Sequence, residues 1–275
     1  MSEPVAGIRI AGLFQRAREH GRKSLIAYIT VGDPSLDQTV SLVAALERGG
    51  ADLIELGMPF SDPIADGPVI QRASERALRA GASVGRVLDT ARRIRRHSEV
   101  PLLLFSYLNP LLRYGFEALA HDAVQAGIDG CLLTDLSVEE AESYVEVMRR
   151  AGLDTVFLAA PTSTPARLRL VARYSTGFVY LVSRTGVTGE RDALSAAVAP
   201  LVNAMRQVTD LPLAVGFGIS KPEHVAAAGR LADAVVVGSA IVRLIERHAG
   251  DTALESRLES LTRELKSGFE QARQQ

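Results

Sequence analysis

Along the chain, apolar runs of four to seven residues alternate with longer stretches whose apolar positions recur at three- and four-residue spacing. The short runs have the near-continuous apolar character of parallel strands covered on both faces, and the longer ones read as the amphipathic helices that cover them. Strands are predicted at 24–30, 52–56, 101–105, 129–133, 155–159, 178–182, 212–215 and 233–237. The helices that follow them are predicted at 36–48, at 69–80 with 84–96, and then at 116–126, 138–151, 165–174, 193–208, 222–228 and 239–249. Ala126-Gly127 and Ala151-Gly152 fit helix C-terminal turns that return the chain to the sheet.

Eight strand-then-helix units are the number that closes a parallel sheet on itself, so the pattern predicts an α/β, single-domain TIM (β/α)8 barrel spanning residues 1–275. An additional helix over 7–20, with Ile8, Leu13, Phe14 and Ala17 at helical spacing, is placed to cover one end of it. Residues 251–275 carry a charged helical pattern and read as a closing helix with a frayed end.

With 47% hydrophobic residues the chain can bury a large core. Its 31 basic and 32 acidic residues leave a formal net charge of −1, which supplies no bulk field for nucleic acid or an anionic membrane. No apolar run approaches the roughly 20 residues needed to cross a bilayer, and the N-terminus lacks a signal peptide's apolar core, so a cytoplasmic location is expected. Cys131, the single cysteine, cannot form an intrachain disulfide and reads as a buried, inert thiol. The five histidines show no metal-ligand spacing, and no metal is expected.

In a TIM barrel the reactive groups collect at the C-terminal ends of the strands. The second unit, ADLIELGMPFSDPIADGPVIQ over 51–71, puts Glu55 inside an apolar strand and Asp66 in the proline-rich loop after it. Burial penalises a carboxylate's charged form and raises its pKa, which is how a general acid/base is tuned towards neutrality. A structural carboxylate at 55, and a turn or helix cap at 66, are the plain alternatives. After the seventh and eighth strands, Gly216-Phe217-Gly218 and Gly238-Ser239 offer unobstructed backbone N–H groups at a helix start, where this fold places phosphates. No GxxxxGK[ST] motif is present, which points to a phosphate monoester rather than a nucleotide. Residues 183–191, SRTGVTGER, read as a surface loop.

The segment ELGMPFSDPIADGP resembles the signature of the tryptophan synthase alpha subunit family. YITVGDPS, YLNPLLRYG, LVSRTGVTGER, GFGIS and VGSAIV match the same family in the same order, over most of the chain. The resemblance implies retro-aldol cleavage of indole-3-glycerol phosphate to indole and glyceraldehyde 3-phosphate, with indole passed to a beta subunit in an alpha2-beta2 complex. It implies Glu55 as the acid/base and Asp66 as the carboxylate beside the indole N–H. It implies Tyr180 beside Glu55 or the substrate, Phe217 beside the indole, and Gly189, Gly218, Gly238 and Ser239 around the phosphate. Arg184 and Thr188 fall in the matching lid, Thr188 bonding the aspartate, while Pro59, Asp62, Asn109 and Pro110 match beta-facing positions. No cofactor is implied in this chain, pyridoxal phosphate belonging to the beta subunit.

Ser137 stands where many relatives have proline, Val31 where alanine is usual, and Leu108 at a variable position. None of these removes a catalytic group, although they leave the fourth loop's shape and any role of Asp135 in lid coupling open. Three other readings remain at this point: a stand-alone lyase releasing free indole, a sugar-phosphate isomerase on the same barrel, and a noncatalytic subunit that only activates a partner.

Overall fold

The computed structural model describes residues 8–182, 191–216 and 218–273. Among them, eight parallel strands follow one another around a closed barrel, and the first pairs with the last. They are β1 (Ser24–Thr30), β2 (Leu53–Gly57), β3 (Leu102–Ser106), β4 (Gly130–Leu133), β5 (Asp154–Ala159), β6 (Val179–Val182), β7 (Leu213–Gly216) and β8 (Ala234–Val237). The expected TIM barrel is therefore observed, with every predicted strand within two residues of its place.

Each strand sends alternate side chains to two different cores. On β2, Ile54 and Leu56 belong to the large cluster shared with the surrounding helices, whereas Leu53 faces the barrel interior with Ile26, Leu103, Leu132 and Val236. Glu55, two residues after Leu53, shares that inward face. Cys131 faces the helix side, is fully buried, and has its thiol pushed up to about 12 by burial, which leaves it unreactive at neutral pH.

Helix α1 (Ile8–Glu19) closes the N-terminal end of the barrel. Ile10 and Phe14 enter the interior cluster, Phe14 meeting Phe178 with ring centroids 5.7 Å apart. Arg9 secures the helix through Glu99 at 2.7 Å and the buried Asp129 at 3.1 Å. The bottom is thus plugged, leaving the opposite end to receive a ligand.

The outer helices begin where their sequences satisfy the first free N–H groups. Ser35 caps α2 (Leu36–Arg48), and Thr164 caps α8 (Pro165–Tyr174) with proline at its first position. Gly67 precedes Pro68 at the start of α3 (Pro68–Arg79), and Ser83 caps α4 (Val84–Arg95).

The observed helices differ from the expected ones in two places. A short helix, α5 (Leu108–Tyr114), lies within YLNPLLRYG, where no helix is predicted. Pro110 is compatible with it because a first turn needs no proline N–H, and Asp135 fixes its start by accepting from the Leu108 N–H at 2.6 Å. After α6 (Phe116–Ala126), the single helix expected over 138–151 is instead a 3-10 turn, Val138–Glu140, followed by α7 (Glu142–Arg150). The remaining helices are α9 (Arg191–Arg206), α10 (Pro222–Gly229), α11 (Ser239–Arg247) and α12 (Leu254–Arg273). Among the described residues no helix is long and apolar enough to cross a membrane.

Candidate active site

At the C-terminal end of the barrel a cavity of about 310 Å³ is lined by residues from β1, β2, β3, β6, β8 and the loops that follow β2, β7 and β8. Glu55 lies at its floor, between Tyr28 on β1 and Leu103 on β3 in the strand register. Its side chain is 1% exposed, and loss of hydration alone pushes its carboxyl from the ordinary 4.5 to about 8. Oε1 accepts no hydrogen bond from the described residues. A buried acid of this kind is protonated at neutral pH, and here it lines the cavity with one oxygen left unpartnered among the described residues.

Asp66 reaches the same cavity from the β2–α3 loop. The loop is held rigidly: the Asp66 N–H donates to Pro63 O at 3.0 Å, and Gln71 Nε2 donates to Asp66 O at 2.9 Å. The Tyr107 hydroxyl accepts the Ala65 N–H at 2.9 Å. It also hydrogen-bonds the Asp66 carboxyl, which holds down a pKa that burial otherwise raises, to about 6. Phe60 packs on the Tyr107 ring at 5.1 Å. Near pH 7, therefore, Asp66 is ionised and Glu55 is not.

The walls are aromatic and aliphatic. Tyr28 and Phe105 meet edge to face at 5.2 Å, and Tyr180, Ile70 and Val236 complete the lining. Two glycines make the tyrosine positions attainable. A Cβ on Gly57 would lie 2.2 Å from the Tyr28 hydroxyl oxygen, and one on Gly216 would lie 2.0 Å from that of Tyr180. The buried Tyr180 hydroxyl is driven well above its ordinary pKa, first by desolvation and then by Glu55.

The far end of the cavity is formed by Gly218, Ile219 and Ser220 after β7 and by Gly238, Ser239 and Ala240 at the start of α11. Gly218 adopts the left-handed φ of +75° that favours glycine. The N-terminus of α11 has no side-chain cap and no acidic residue in its first turn, so its N–H groups are available to an anion.

Thus Glu55, Asp66, Tyr180, Gly218, Gly238 and Ser239 converge on one cavity, as expected. Phe217, Arg184, Thr188 and Gly189 lie outside the described residues. Of the four beta-facing positions, Asp62 and Asn109 are exposed, Pro110 is half-buried, and Pro59 is buried, which leaves it little surface to offer a partner. Asp33, at the end of β1, is withdrawn from the cavity into a two-point ion pair with Arg76 at 2.8 Å. Sequence reasoning missed Tyr28, Phe105 and Arg243 as lining residues and Tyr107 as the partner of Asp66. For Tyr28, the available signal was its inward alternation with Ile26 on β1.

The sequence profile described as "Tryptophan synthase alpha chain" matches residues 14–270. The chain belongs to this family. The tryptophan synthase alpha chain of Solibacter usitatus (strain Ellin6076) is 71% identical over 261 residues, 95% of this chain and 98% of the relative. That of Geobacter sulfurreducens is 51% identical over 239 residues, 87% of this chain and 90% of the relative. Among solved structures, tryptophan synthase subunit alpha from Legionella pneumophila str. Paris superposes with a TM-score of 0.88 at 36% identity, covering 96% of this chain and 98% of that one. A Mycobacterium tuberculosis tryptophan synthase structure gives 0.87 at 38% identity, covering 95% and 98%. Tryptophan synthase alpha chains split indole-3-glycerol phosphate, and the chain is accordingly a carbon–carbon lyase of tryptophan biosynthesis.

Proposed function

We propose that Glu55 is the acid/base and Asp66 the electrostatic partner of the cleavage. The observation that carries this reading is the pair of unequal carboxyls, one pushed to about 8 and one to about 6, on a shared cavity. Protonated Glu55 donates its proton to the indole ring carbon that bears the glycerol chain. Positive charge then spreads to the ring nitrogen, where ionised Asp66 stabilises it as it develops. The carbon–carbon bond breaks, its electron pair restores the indole, the adjacent hydroxyl becomes the aldehyde, and that hydroxyl's proton returns to Glu55. Tyr28, Phe105 and Tyr180 offer the ring an apolar slot, and the Gly218, Gly238 and Ser239 end takes the phosphate.

Proton transfer in this scheme uses only side chains of the chain, so no cofactor is assigned to it. Pyridoxal phosphate is assigned to a beta subunit that would receive the indole in an alpha2-beta2 complex. Support for a partner face comes from Ile64, 87% exposed, and Leu112, 53% exposed, in the same loop and helix as Asp62 and Asn109. A single domain acting in the cytoplasm completes the reading.

The test is indole release from indole-3-glycerol phosphate, with and without a beta subunit, by the native chain and by Glu55→Gln. Release by the native chain and its loss in the variant are expected. Near-normal turnover by Glu55→Gln would remove the assignment.

A further inference from the structure

Among the described residues the acidic side chains of the cavity are Glu55 and Asp66, and its basic one is Arg243, on α11. Near neutral pH the described lining carries one negative charge, on Asp66, against one positive charge, because Glu55 is protonated. A phosphate monoester brings a charge of about −1.5 to −2 into this space at neutral pH. The backbone N–H groups of a helix start supply a compensating charge of only about half a unit.

Arg243 stands four residues beyond Ser239, one helical turn along the same face. Side chains in a helix lean towards its N-terminus, so a long side chain at this position extends back over the turn that opens the cavity. Neighbouring charges do not consume it. Glu246, on the same helix, is engaged by Arg72 at 2.7 and 2.8 Å and by Arg76 at 2.8 Å. Arg76 in turn holds Asp33. Among the described residues Arg243 has no ion pair or hydrogen bond and is exposed, whereas Arg72 and Arg76 of α3 are engaged in this network.

We propose that Arg243 is a phosphate-binding residue, its guanidinium closing over the phosphoryl oxygens at the rim while the N–H groups of Gly238 and Ser239 hold them from the helix start. The inference rests on the phosphate reading of that end of the cavity and adds to it a cation that the backbone sites lack. Arg243 also sets a preference for a dianionic tail over a neutral one, because with it the lining approaches neutrality before the ligand arrives.

The test uses the full chain and two probes, indole-3-propanol phosphate and indole-3-propanol, with binding measured by calorimetry at low and physiological salt. In Arg243→Ala, affinity for the phosphorylated probe is expected to fall about tenfold at low salt, the effect of losing one charge-assisted contact at an exposed rim, and less at physiological salt. Affinity for the alcohol should stay within about twofold, because its contacts are apolar. KM for indole-3-glycerol phosphate should rise by a similar factor with kcat nearly constant, and Arg243→Lys should recover part of the loss. Equal weakening of both probes, or unaltered binding of the phosphorylated one, would overturn the proposal. If the native chain itself does not prefer the phosphorylated probe, the phosphate reading fails, and this inference with it.

Discussion

Replacing Glu55 by Gln tests the site through stability as well as through rate. In the native state burial raises this carboxyl from 4.5 to about 8. Between those values the folded chain therefore holds a proton that the unfolded chain has released, and stability falls as pH rises. At about 1.4 kcal/mol per pKa unit, native Glu55 costs less than about 1 kcal/mol at pH 5 and about 4 kcal/mol at pH 8. Gln does not titrate, so the variant escapes this growing penalty. It brings instead a buried amide whose unpaired donors cost about 1–3 kcal/mol at every pH.

The sign at a single pH is consequently uninformative, and the change with pH is the observable. The stability of Glu55→Gln relative to the native chain should increase by about 3 kcal/mol from pH 5 to pH 8, or about 6 °C in Tm at about 2 °C per kcal/mol. Urea unfolding of both proteins at the two pH values measures it. A difference that stays flat across this range, or moves the other way, would show that Glu55 ionises normally in the folded chain and that the acid role is misplaced. Indole release should fall by about 10²- to 10⁴-fold in the same variant, the usual range for loss of a general acid/base.

Tyr107→Phe removes the hydrogen bond that lowers the Asp66 carboxyl, so its pKa should climb above about 6 and the acidic limb of the pH–rate profile should move to higher pH. An unmoved limb would separate Tyr107 from Asp66. Gly216→Ala puts a Cβ 2.0 Å from the Tyr180 hydroxyl oxygen, which should drive the ring into the cavity, raise KM and cost about 1–3 kcal/mol in denaturant unfolding. Phe14→Ala opens the plugged end instead: about 3–5 kcal/mol of stability should be lost while kcat at a permissive temperature stays within about twofold, since Phe14 packs on Phe178 at the end opposite the cavity.

Much of this architecture is local in origin and could be read along the chain. The strands are apolar runs, and their helices start at caps such as Ser35, Ser83 and Thr164, whose side chains act within three residues. The α5 helix escaped because Asn109-Pro110 reads as a turn, and its start depends on Asp135, a residue 27 positions away. Glu55 and Asp66 were visible because a carboxylate inside an apolar strand and another in a proline-rich loop are locally anomalous. The partners that set their acidities were not, since Tyr107 meets Asp66 only after β3 lies beside β2.

The sequence by itself determined the succession of strands and helices, the location of the two acids and the glycines after the last two strands, because hydrophobic periodicity, capping and backbone freedom act over a few residues. Barrel closure decided the rest. It selected which face of β2 turned inward, buried Glu55 enough to keep it protonated, and set Arg243 of the last turn-and-helix unit over the same cavity. Desolvation and charge are sums over everything that surrounds a group, and those surroundings exist only once all eight strands have met.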